Sequence, residues 1–149
     1  MTERQRGQSV VELALVLPVL LLLVLGAICA MQILLTQQAV ASAARAAAHQ
    51  AALLGGPDGQ DGALHQAGGQ VAEAARLALA GGIGTDPSRA TIAVVCRDER
   101  GAPVSACRRY QPITVTISYH DGVWVPIPPL FSEINAQFSA TRAAEKDQQ

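Results

Sequence analysis

Aromatic side chains are scarce in this chain of 149 residues: two Phe, two Tyr and one Trp. Half of the residues are hydrophobic all the same, and alanine carries much of that share. Alanine buries little area, so at ~25 cal/mol per Å² the soluble part should have a thin core that a partner, a disulfide or a membrane would reinforce. Charge of one sign is not in excess either; a net charge of −1 gives no reason to expect nucleic acid or anionic lipid as a main partner. The motifs of common chemistries are missing. There is no Gly-x-Ser-x-Gly, P-loop, His-Glu-x-x-His or EF-hand spacing. His49, His65 and His120 are scattered, and no Asp or Glu pair can be placed together. The Gly-rich stretches hold Pro and Asp and do not follow a strand, so they read as loops and not as phosphate cradles. The expectation is a chain without catalytic residues, metal, cofactor or small-molecule substrate, and not an enzyme.

The longest absence is of charge. From Leu13 to Met31 run nineteen uncharged residues, nearly all Leu, Val, Ala or Ile. At ~1.5 Å per residue such a helix crosses about 30 Å of hydrocarbon. Arg4 and Arg6 precede the run, and the next positive residue is Arg45, so the positive-inside rule predicts a cytoplasmic N-terminus and a C-terminal part outside. Ala39-Val40-Ala41 and Ala41-Ser42-Ala43 would suit a signal peptidase, but the apolar run exceeds a signal peptide's, which favours a retained anchor.

Helical spacing continues beyond Met31. Val40, Ala44, Ala47, Ala51 and Leu54 form an apolar stripe, and Gln38, Ser42, Arg45 and His49 a polar one. One helix from about Ser9 to Leu54 is predicted, ended by Gly55-Gly56-Pro57 and kinked at Pro18. The small side chains of the stripe can pack on the chain's own domain or on neighbouring subunits, and both remain open. Residues 55 to 62 read as a flexible loop, and Gln70 to Ala80 as a second helix that Gly81-Gly82 ends.

After Pro87 the period shortens. Thr91–Cys96, Ile113–Tyr119 and Ile134–Thr141 read as strands. Asp121-Gly122 is expected to close a hairpin with Val123-Trp124-Val125 as a short return strand, followed by an exposed crossing through Pro126, Pro128 and Pro129 before Leu130-Phe131. Arg97, Arg100, Arg108 and Arg109, with Asp98 and Glu99 among them, read as a solvated face, and Glu145 to Gln149 as a frayed end. A hairpin turning between Gly101 and Ala102 would set Cys96 opposite Cys107, within disulfide range if the domain is exported. Two free thiols are the rival; a metal site has too few ligands. Cys29, inside the apolar run, reads as a small hydrophobe.

Glu12 is the residue in an unusual place, a carboxylate at the front edge of the span. It can mark the interface and snorkel to headgroups. Alternatively, cleavage after Gly7 would make Gln8 the new N-terminus, whose freed amine and the Glu12 carboxylate would neutralise each other within or between subunits. Gly7-Gln8-Ser9-Val10-Val11-Glu12-Leu13, Pro18 within a Leu/Val run and Ala43-Ala44-Arg45 on the following helix resemble the TadE-like pseudopilins, minor pilin-like proteins of the bacterial Tad (type IVb, Flp) pilus system. The resemblance covers about residues 4 to 54 closely and the strands more loosely. It implies processing by a prepilin peptidase between Gly7 and Gln8, with Glu12 as the pilin-type acid. It also implies other pilin-like subunits, Tad assembly proteins and the membrane as partners. Leu13 stands where the family often has Tyr.

The expected fold is α+β: a cytoplasmic leader (1–7), a transmembrane and extended helix (8–54), and a small extracytoplasmic domain (55–149) with a second helix and an antiparallel sheet of three or four strands. The expected role is a minor pilin-like subunit or assembly factor, in the cytoplasmic membrane or associated with a pilus. The alternative is a membrane-tethered or secreted binding domain without a pilus role.

Overall fold

The computed structural model describes residues 3–104, 106–127 and 131–148. Helix α1 (Glu3–Leu54) runs unbroken for 52 residues, through Pro18, and begins well before Ser9. Its end is chemical: the Gly56 N–H reaches back to the Ala51 carbonyl at 2.9 Å while Gly55 takes φ +82°, a Schellman stop that a side chain would strain. The apolar stripe of α1 packs on the chain's own domain: Val40, Ala44, Ala47 and Ala51 are buried, whereas Gln38, Ser42, Arg45 and His49 stay exposed.

Helix α2 (Gln70–Ala80) forms where predicted. Gly69, its N-cap, has no side chain to offer the first amides. Asp58 supplies one from a distance: its carboxylate accepts the Gln70 N–H and, at 3.2 Å, the Val71 N–H. The preceding loop is therefore fastened at Asp58, and Gly62–Ala63 (β1) pairs with β2 (Ala90–Arg97).

The sheet is antiparallel and has five strands, more than predicted, because β1 and β3 (Pro103–Val104) are two-residue segments without a periodic signature. Its order is β1-β2-β4-β5, with β3 also on β2. β4 (Pro112–Ile127) and β5 (Phe131–Ala143) form the long hairpin. Ile113, Val115, Ile117 and Tyr119 turn into the core, and on the other face hydroxyls pair across the strands, Thr114 with Thr141 at 2.9 Å and Thr116 with Ser139 at 2.8 Å. α1 lies on β4 and β5, with the Arg45 guanidinium over the Phe138 ring at 5.3 Å. α2 packs beside α1, and its Val71 and Ala72 border Ile92 and Val94 of β2.

Three expectations need correction. The chain does not turn at Asp121-Gly122. β4 continues, Asp121 pairing with Ile134 and Gly122 with Glu133, because the inward period persists from Tyr119 to the buried Val123. The register then slips between Gly122 and Ile127. The crossing at Pro128–Leu130 lies outside the described residues. The Cys96–Cys107 disulfide forms, with Cα atoms 5.5 Å apart, but not from opposed positions. Asp98 takes the Arg100 and Ala102 N–H groups on its carboxylate and turns the chain early, so Cys96 faces Val104 and Cys107 reaches it from the following loop. Finally, the C-terminal segment is docked as far as Gln148. The Glu145 N–H reaches the Ala52 carbonyl at 2.8 Å, and the Gln148 amide bridges the Cys107 N–H and the Pro57 carbonyl, both at 3.1 Å.

Candidate functional site

From Val11 to Val24 the side chains of α1 are exposed or nearly so on every face, Leu15 and Leu23 at 70%. A helix apolar all round suits a protein core or a bilayer, and no core surrounds this stretch. It is the one helix among the described residues long and apolar enough to cross a membrane, and it lies near the N-terminus. Gly7 and Gln8 fall within the helical backbone. Glu12 is exposed between Val11 and Leu13 at the front of the apolar surface. Pro18 carries no N–H, so the Ala14 carbonyl one turn back has no helical donor there.

The outer end of the apolar run is built differently. Cys29, Gln32 and Thr36 recur on one face and are buried, at 0%, 4% and 1% exposure. The end of β4 meets the first two. The Cys29 thiol donates to the Val125 carbonyl at 3.2 Å, and the Gln32 side-chain oxygen accepts the Trp124 N–H at 2.8 Å. Cys29 thus packs as the small buried side chain expected, with a hydrogen bond added. The sequence assigns no function to Gln32, although the first amide after the apolar run is a natural place for a tertiary contact.

Elsewhere the polar groups serve turns. His49, His65 and His120 are exposed, and His120 Nδ1 is hydrogen-bonded to Asn135 Oδ1. No group of three metal-ligand side chains occurs among the described residues. Arg97, Arg100, Arg108 and Arg109 are exposed. Asp86 caps a 3-10 turn at Pro87–Arg89, and hydrogen bonds from the Ser88 side chain and amide hold its carboxyl below the ordinary value. A cleft of about 830 Å³ opens at the far end of α1, bordered by Leu54, Asp58, Arg109, Lys146 and Asp147. Its lining mixes charges of both signs without a nucleophile beside a base.

The rod therefore combines an exposed apolar surface, the Glu12 carboxylate at the front edge of that surface and a domain clasped to its C-terminal half. The chain matches no curated protein and no solved structure. Residues 7–49 match the family described as TadE-like protein, a similarity that covers the rod from Gly7 through the apolar run and most of the stripe that seats the domain.

Proposed function

We propose that this protein is a minor pilin-like structural subunit, or assembly factor, of a Tad-type pilus system, held in the cytoplasmic membrane by α1 with its N-terminus inside and its domain outside. The carrying observation is the TadE-like match over a rod whose apolar surface stays uncovered beside the exposed Glu12 carboxylate. Such a surface suits lipid before assembly and neighbouring rods after it. The charge placement around the run supports the orientation, and the Cys96–Cys107 disulfide suits an oxidising compartment. On this reading a prepilin peptidase cuts between Gly7 and Gln8, and the Glu12 carboxylate pairs with the freed amine of its own or a neighbouring subunit. The role is structural, with force supplied by other proteins.

A secreted domain released near Ser42 is the weaker rival, because cleavage there would remove the buried Ala39 and Val40 from the core. Intact-mass measurement of the chain recovered from membranes separates the two: a mass starting at Gln8 supports the pilin-like reading, one starting near Ser42 the rival. Glu12→Ala should leave insertion intact and reduce piliation severely. Unchanged piliation would remove Glu12 from any docking role.

A further inference from the structure

We propose that the end of β4 at Trp124 and the loop 81–85 form a second membrane contact, resting the domain on the lipid interface with Trp124 at headgroup level. The inference rests on the reading of α1 as the membrane span, and it deepens that reading by giving the domain a fixed footing on the bilayer.

The height of the contact follows from two hydrogen bonds. Met31 ends the continuous apolar run and Gln32 is the first polar side chain after it. The Trp124 N–H is bonded to Gln32, and the Val125 carbonyl to Cys29, one turn deeper. If the apolar run fills about 30 Å of hydrocarbon, the end of β4 lies at its boundary. That is the depth at which the amphipathic indole ring is most at home.

The surface there is apolar and exposed. Trp124 is 54% exposed, Ile83 65%, Met31 62% and Leu34 59%. Gly84 brings the loop under the indole: a Cβ on Gly84, whose φ is +70°, would lie 2.2 Å from Trp124 Cζ2. A Cβ on Gly82 would lie 2.7 Å from that of Ala39, so the loop passes close over α1 just before Ile83. Neither 81–85 nor 123–126 contains a charged residue, and α1 contains none from Leu13 to Ala44. Settling these two segments onto lipid strips water from no ion of their own, while Asp86, Asp121 and Glu133, which flank them, stay on the water side. Isolated exposed apolar residues are ordinary on a protein surface. Here Trp124 is tied by its N–H to Gln32 at the last turn of the proposed span, the loop that carries Ile83 lies against the indole through Gly84, and lipid is what that level offers. The contact also explains how Cys29 and Gln32 can be polar so close to hydrocarbon, since β4 shields both.

Trp124 is the only tryptophan, so the unaltered full-length chain reports directly. The chain is reconstituted into vesicles of phosphatidylethanolamine and phosphatidylglycerol, floated, and excited in the presence of lipids brominated near the headgroup or near the methyl end. The shallow bromines should remove most of the emission and the deep ones less, while aqueous iodide quenches far less than it quenches free tryptophan. The chain doubly altered at Trp124→Phe and Ile83→Trp should show the same shallow pattern. A floated chain quenched by iodide as free tryptophan is, or by neither lipid nor iodide because protein covers the ring, overturns the contact and leaves the span intact. Stronger quenching by the deep bromines overturns the interfacial depth. A chain that fails to float overturns the contact and the span together.

Discussion

Tyr119 closes a short relay where the sheet meets the loop after α2. Its phenol oxygen accepts the Asp86 N–H at 3.2 Å and donates to the Asp121 carboxylate at 2.8 Å. The residue is buried, 2% exposed, and burial is the main cause that pushes the phenol above its ordinary value of 10.0, with Asp121 adding to it. Below about pH 10 the phenol is neutral in both folded and unfolded chains. Above it the unfolded chain ionises first, so the folded state loses stability as pH rises toward the folded value. Tyr119→Phe should cost about 1 kcal/mol near neutrality, the worth of a partly buried hydrogen bond. Its deficit against the parent should then shrink as pH climbs past about 10, because the variant has no phenol to ionise there. Thermal melts of both proteins across that range check the sign; a deficit that widens would mean the relay is misread. Asp121 shows why this site was not legible. Asp-Gly is a strong turn signal, but here the carboxylate holds the Tyr119 hydroxyl and the Gly122 N–H within a continuing strand.

At the scale of elements, α2 depends on a residue outside itself. Asp58→Ala removes the acceptor for the Gln70 and Val71 N–H groups and should destabilise the domain by about 1 kcal/mol, a usual N-cap loss. Amide exchange should quicken at Gln70 and Val71 before it does in the sheet, and Asp58→Asn should recover part of the loss. Equal protection of those two amides in all three proteins would show the cap to be idle. What the sequence made legible here was period: α1, α2, β2 and the paired alternations of β4 and β5 all follow from spacing of apolar residues, and the rod followed from length and missing charge. Contacts that join distant segments leave no period. The Arg76 guanidinium holding the Leu64 and Ala67 carbonyls, at 3.0 and 2.7 Å, is one; Gln148 against Cys107 and Pro57 is another. The disulfide was legible as a pair but not as a register, since Asp98 and not the midpoint between the cysteines set the turn.

For the whole molecule, α1 is a rod with two environments along its length. Cys29 touches the end of β4, and the Ala52 carbonyl receives the Glu145 N–H just past β5, so α1 and β5 run in the same direction. Two copies joined antiparallel along β5 by a two-fold axis normal to the sheet would point their rods oppositely, which one membrane cannot hold. With α1 as the membrane span, as proposed, two copies in one membrane could meet only by another surface, of which the uncovered rod is the extensive one. The outer half of the rod has a different duty. Ala39, Val40, Ala43, Ala44, Ala47, Ala48, Ala51 and Ala52 are buried against the sheet and α2, so residues 55–149 lack one wall of their own core. A chain of residues 32–149, which retains that wall and drops the apolar run, should be soluble, carry the Cys96–Cys107 disulfide and unfold cooperatively. A chain of residues 55–149 would leave Ile113, Val115, Ile117 and Tyr119 facing water, an apolar patch that small alanines normally cover. It should show no cooperative melt and should self-associate. Circular dichroism on heating, with sedimentation of both chains, decides the matter. A well-folded, monomeric 55–149 would mean that the helix merely rests on a finished domain, and that the alanine stripe is free to serve other subunits.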